Sequence, residues 1–125
     1  MNYRHAFHAG NFADLVKHAA LLAVLEEMLA SSAPVTVVDT HAGRGLYDLT
    51  SDEAQRSGEA KAGIGMLMQA RDLPQAMMPL RSAVVELNRA RQGEFYPGSP
   101  LLIARRLRPQ DHYRSEERRV GKECA

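Results

Sequence analysis

The stretch VTVVDTHAGRG, residues 35–45, decides the fold. Its first six residues, 35–40, read as a strand. Val35–Val38 is apolar and β-branched, the pattern of a short strand buried in a parallel sheet. HAGRG (41–45) follows as a loop, and Gly43 and Gly45 permit backbone conformations that other residues resist. Upstream, Asn11 is a helix N-cap with Asp14 in the first turn. Leu15, Ala19, Leu22, Leu25 and Leu29 then recur at helical spacing. A residue before proline disfavours helix, so this one is expected to stop near Ser31–Ser32, ahead of Ala33-Pro34. Helix, buried strand and glycine loop in that order open an α/β fold.

Downstream the pattern changes. Ser51 caps a short helical turn, and Ala60, Ile64, Leu67 and Arg71 predict a helix over Glu59–Arg71. Asp72–Pro74 breaks it. Met77, Leu80, Val84 and Leu87 predict another helix, ended by Gly93. This is more helix than one crossover between parallel strands needs, so residues 51–94 read as an inserted helical subdomain. The methionines, Met66, Met68, Met77 and Met78 among them, read as adaptable core filler. FYPGSP (95–100) is turn-rich around Pro97-Gly98. Ser99 is expected to cap the helix in LLIARRL (101–107), with Pro100 at its first position. Arg105, Arg106 and Arg108 form a small basic cluster.

Composition narrows the function classes. The chain has 125 residues, 45% hydrophobic and 25% charged, with a formal charge of +1 and one cysteine. That is ordinary for a globular protein, and the charge shows no overall excess of the nucleic-acid-binding kind. No apolar run reaches the roughly 18 residues of a membrane span. MNYRHAFHAGN lacks the apolar centre of a signal peptide. A single cysteine excludes an internal disulfide framework and a Cys-based zinc cluster, and the compartment is expected to be cytoplasmic.

The final segment, RSEERRVGKECA (114–125), shifts sharply toward charge. It resembles the translation of a short-read sequencing adapter, whose opening bases agatcggaagagc encode Arg-Ser-Glu-Glu. We expect this tail to be foreign to the protein rather than an ordinary solvated, charged terminus. Without its four basic and three acidic residues, residues 1–113 hold 12 basic and 12 acidic residues and no cysteine.

The glycine loop admits three ligand readings. A P-loop needs Gly-Lys-Ser/Thr, and Gly45-Leu46-Tyr47 lacks it. A dinucleotide fingerprint needs a third glycine or alanine where Asp48 stands, and that aspartate opposes a pyrophosphate. S-adenosylmethionine carries no pyrophosphate, and an acidic strand end followed by Gly-x-Gly looks like the first motif of Rossmann-like methyltransferases. A plain strand-to-helix turn stays open beside these.

The wider sequence resembles the RlmJ family, bacterial 23S ribosomal RNA adenine-N6 methyltransferases. The resemblance rests on Tyr3-Arg-His-Ala-Phe-His-Ala-Gly-Asn11, on Ala13-Asp14 and Lys17-His18, and on Asp39-Thr-His-Ala-Gly43 with Tyr47. It continues through Gly58-Glu59, Tyr96-Pro-Gly-Ser-Pro100, Ile103-Ala-Arg105 and Gln110-Asp111. It covers residues 1 to about 112. Phe12 departs from it, standing where relatives often carry histidine. The resemblance implies the N-terminal part of a Rossmann-like, S-adenosylmethionine-dependent fold with a helical insertion. It divides the chain into 1–50 (helix, strand and cofactor motif), 51–94 (insertion), 95–113 (return to an incomplete core) and the tail. It implies that His18, His41 and Ser99 contact the cofactor, beside Gly43, with Lys17 adjoining. It places Tyr3 near the RNA substrate, with Arg4 next to it.

From the residues alone, His18 borders the apolar stripe and reads more readily as a satisfied core histidine. His41, in a glycine loop, is the better ligand candidate. Ser99 would be a helix cap, a role that can coexist with cofactor contact. Tyr3 and Arg4 could stack on a base and meet a phosphate, or form a polar terminus. His5, His8 and His18 lack metal-ligand spacing, and no metal is expected.

Relatives are understood to hold the adenine amine with an Asp-Pro-Pro-Tyr motif, orienting it in line with the methyl group. No such motif occurs here. The acidic residue for the cofactor ribose, expected at the end of a second strand near His112-Tyr113, is missing too. The chain is therefore expected to be inactive alone. With one clear strand and few partners for it, much apolar surface stays uncovered, and poor solubility or a molten state is expected. The partner implied is protein-free 23S rRNA rather than the assembled ribosome, with no membrane. Two alternatives remain: a small RNA-binding module using Tyr3, Arg4, Lys17 and Arg105–Arg108, and a methyltransferase for another substrate such as DNA adenine.

Overall fold

The computed structural model describes residues 8–115. The first element, α1 (Phe12–Met28), starts where Asn11 predicts: the Asn11 side-chain oxygen accepts from the Asp14 amide at 2.8 Å. The Asp14 carboxylate in turn accepts from the Gly10 amide at 3.0 Å. Leu15, Ala19, Leu22 and Leu25 face the core, with Asp14 and His18 buried among them. The helix ends at Leu29, ahead of the expected Ser31–Ser32. The chain beyond it is held from outside, because Arg108 Nη1 donates to the Leu29 and Ser31 carbonyls.

Strand β1 (Thr36–Asp39) runs parallel to β4 (His112–Ser115), pairing Thr36 with His112 and Asp39 with Ser115. The second strand therefore falls where the sequence places it. Residues Arg114 and Ser115, assigned to the foreign tail, take part in this pairing. Burial of β1 is corrected. Its residues alternate between exposed and half-buried, and Val38 is 56% exposed. Among the described residues this sheet has two strands, too few to enclose a parallel strand on both sides.

The loop after β1 leads into a second small sheet. Strand β2 (Leu46–Asp48) pairs antiparallel with β3 (Phe95–Pro97), setting Tyr47 opposite Tyr96. The turn-rich reading of 95–100 is thus corrected: its first three residues are a strand. Between β2 and β3 lie four helices and a 3-10 turn. Ser51 caps α2 (Asp52–Ser57), accepting from the Ala54 amide at 3.2 Å. The helix expected over Glu59–Arg71 is two helices, α3 (Glu59–Ala62) and α4 (Ile64–Gln69). Gly63 separates them because the 10–11 backbone lies against it: a Cβ there would fall on the Gly10 carbonyl oxygen, which accepts from the Ile64 amide at 2.8 Å.

After the 3-10 turn Gln75–Met77, α5 (Met78–Arg91) buries Leu80, Val84 and Leu87. It ends at Gln92, whose backbone is left-handed, one residue before the expected Gly93. Helix α6 (Ser99–Arg106) follows β3. One apolar core joins these parts: Leu15 and Leu22 of α1, Ile64 and Leu67 of α4, Leu80 and Val84 of α5, with Tyr47, Tyr96 and Leu102. The methionines contribute less than expected. Met77 packs against this core, whereas Met66, Met68 and Met78 are exposed. No helix among the described residues is long and apolar enough to cross a membrane.

Candidate functional site

The glycine loop sits at the carboxyl end of β1, the position from which open α/β sheets present ligands. Asp39, the last residue of β1, accepts from the His41 amide at 3.2 Å and from the Tyr113 hydroxyl at 3.3 Å. Gly43 is left-handed at φ +64. Just beyond it, the Arg44 amide donates to the Tyr47 hydroxyl at 3.0 Å. The far side of the loop is stapled to the β3–α6 turn, where the Gly98 amide donates to the Gly45 carbonyl at 2.9 Å. The approach is so close that a Cβ on Gly98 would fall on the Arg44 carbonyl oxygen. Glycine is required there for contact between backbones, with an ordinary φ of −83.

That staple brings Ser99 beside α1. Ser99 is the first residue of α6 rather than its cap: Gly98 occupies the cap position and no side chain bonds there. The Ser99 hydroxyl meets His18 Nε2 at 3.2 Å, and His18 Nδ1 meets the Tyr96 hydroxyl at 2.6 Å. His18 and Tyr96 are almost fully enclosed, their rings tilted at a centroid distance of 5.4 Å. Desolvation drives the Tyr96 phenol well above its ordinary range, and the nearby Asp14 charge adds to this, so the phenol keeps its proton.

The sequence-based candidates therefore divide. His18 and Ser99, 81 positions apart, are joined directly. Gly43 lies in the loop stapled beside them. His41 is exposed and bonds within the loop, its Nδ1 2.9 Å from the Thr40 hydroxyl. Lys17 is also exposed, its ammonium 3.8 Å from the Asp14 carboxylate. Tyr3 and Arg4 lie outside the described residues. Among the described residues, no three His, Cys, Asp or Glu side chains are grouped to hold a metal ion. Tyr96 escaped notice as a site residue because its partner is 78 positions away. Its place beside Pro97-Gly98-Ser99 was the available signal.

The basic cluster also divides. Arg108 is committed to structure. Its guanidinium reaches both Asp111 carboxylate oxygens and the Ser31 and Ala33 carbonyls. Asp111 additionally accepts from the Val35 and Arg108 amides. These hydrogen bonds and the Arg108 charge hold its carboxyl well below the usual range. Arg105 and Arg106 remain exposed. The RNA-binding alternative thus loses Arg108.

The glycine loop at the end of a parallel strand, stapled to the turn that leads into Ser99, occupies the place where open α/β sheets present ligands. The chain belongs to the family described as ribosomal RNA large subunit methyltransferase D, RlmJ, whose family model matches residues 32–121. It is 42% identical over 111 residues to ribosomal RNA large subunit methyltransferase J of Escherichia coli strain K12, covering 89% of this chain and 40% of that protein. It is 40% identical over 112 residues to the Haemophilus influenzae protein of the same name, with the same coverage. A crystal structure of a Legionella pneumophila protein superposes with a TM-score of 0.76 at 35% identity, covering 86% of this chain and 39% of that one. The chain thus spans about two fifths of the length of these relatives.

Proposed function

We propose that this chain forms the methyl-donor corner of a Rossmann-like, S-adenosylmethionine-dependent enzyme that methylates an adenine N6 in 23S rRNA. The observation that carries the reading is the junction of His18 with Ser99 beside the glycine loop, in a chain of an rRNA methyltransferase family. The donor set suits that ligand. A half-buried hydroxyl left unspent by helix capping and a loop without a phosphate-binding lysine match an amino-acid and nucleoside ligand better than a polyphosphate. When bound, the ligand supplies an electrophilic methyl group on a sulfonium.

The chain's own residues bind and orient. Ser99 offers its hydroxyl, Gly43 lets the ligand approach the loop backbone, and the exposed His41 and Lys17 line its approach. Tyr3 stacks on a base and Arg4 meets a phosphate of the RNA. The charged segment 114–125 is foreign; genomic DNA encoding it with unrelated codons would refute that part.

The test compares this chain with a protein of the relatives' full length, using labelled S-adenosylmethionine and deproteinised 23S rRNA. Transfer by the long protein to adenine N6, and none by this chain, is expected, since no Asp-Pro-Pro-Tyr sequence is present here. Transfer to another atom, or to DNA in preference, would overturn the substrate assignment.

A further inference from the structure

We propose that Tyr96 is a positioning residue that fixes His18 as its Nε2–H tautomer and thereby leaves the Ser99 hydrogen available to the bound methyl donor. The inference rests on the ligand reading above for its last step only. Its first step is hydrogen-bond accounting. Tyr96 is fully enclosed, and among the described residues its hydroxyl bonds to His18 Nδ1 at 2.6 Å. A buried O–H that donates to nothing is costly. If Nδ1 carried a hydrogen, the phenol would have to accept from it and its own hydrogen would be stranded. The phenol therefore donates, Nδ1 is the acceptor, and the imidazole is neutral with its hydrogen on Nε2.

The second step follows along the same line. Nε2–H points at the Ser99 oxygen, 3.2 Å away, and donates to it. The Ser99 hydrogen is then directed away from His18. Helix capping does not claim that hydroxyl, because Gly98 holds the cap position without a side-chain bond. Ser99 thus has its hydrogen free to donate to an acceptor on the ligand, beside one remaining lone pair. With the opposite tautomer, Ser99 would donate back to His18 and present only lone pairs. The chain Tyr96–His18–Ser99 decides whether Ser99 has a hydrogen to offer, from a residue that need not touch the ligand.

Two measurements test this. Nitrogen-15 spectra of His18 in the full-length protein should show a pyridine-type Nδ1 and a pyrrole-type Nε2. A pyrrole-type Nδ1 in the wild type overturns the proposal whatever the variants do. Binding of S-adenosylhomocysteine is then compared across Tyr96→Phe, Ser99→Ala and the double variant. Each single change should weaken binding about tenfold, the order of one hydrogen bond. The double variant should be no weaker than Ser99→Ala, because Tyr96 acts through Ser99. Independent, multiplying losses would mean that Tyr96 is only a structural residue and would overturn the proposal. If Tyr96→Phe does not fold, the wild-type tautomer decides alone. If the wild-type protein does not bind the probe, the methyl-donor reading and the last step fail together, while the spectrum still judges the tautomer.

Discussion

Replacing Gly98 by alanine separates a steric requirement from a conformational one. The Gly98 backbone has an ordinary φ of −83, so alanine meets no torsional penalty there. Its Cβ would instead fall on the Arg44 carbonyl oxygen and lie 3.2 Å from the Tyr47 ring. The β3–α6 turn and the glycine loop must then part. That sacrifices the bond from Gly98 to Gly45, worth about 1 kcal/mol, and adds an overpacking cost of about 1–3 kcal/mol. The total is about 2–4 kcal/mol, or a fall in Tm of roughly 10 °C or more for a chain this size.

Gly58 is the control. It is left-handed at φ +68, but a Cβ there meets nothing within 4 Å. Gly58→Ala should therefore cost only the torsional penalty of about 1–2 kcal/mol. Denaturant titration of both variants ranks them. Gly98→Ala losing no more stability than Gly58→Ala would refute the argument that the loop is stapled by backbone contact.

Leu80→Ala removes a side chain with no exposure and should cost about 2–5 kcal/mol by denaturant titration; a loss under 1 kcal/mol would mean that α5 is not anchored in the core. The Asp111 carboxyl is held well below its ordinary range chiefly by its hydrogen bonds with Arg108, so its contribution is complete above the unfolded value of about 4 and fades as pH falls through the lower folded one. Thermal melts should show stability declining below about pH 4, and Asp111→Asn should flatten that decline; an unchanged slope would contradict the assignment. Phe12, Val16, Val24 and Met28 are exposed along α1, and Val38 is exposed on β1. The chain expressed alone should therefore self-associate, and a monodisperse monomer in size-exclusion light scattering would count against this.

What the sequence reveals here is what local chemistry decides. The Asn11 and Ser51 caps, the α1 stripe and the break at Asp72–Pro74 each depend on residues within a few positions. The features that stay hidden come from distant partners. Strands β2 and β3 are three residues each, below the length at which alternation is readable, and exist because Tyr47 and Tyr96 face one another. Gly63 breaks a helix because Gly10 lies against it. Ser99 looks like a cap and is turned instead toward His18. The family resemblance points to His18 and Ser99, whereas their direct contact, and that of His18 with Tyr96, come only from the fold.

The Arg108–Asp111 knot also sets an order of events in synthesis. The connector from Leu29 to Val35 has its carbonyls and the Val35 amide held by two side chains more than seventy positions later, and the His112 amide donates to the Val35 carbonyl beside them. As the chain emerges, α1 can coil on local contacts, but β1 cannot meet β4, its strand partner among the described residues, until residues 112–115 have been made. Closing so long a loop is slow, and an unpaired strand is exposed to wrong partners in the meantime.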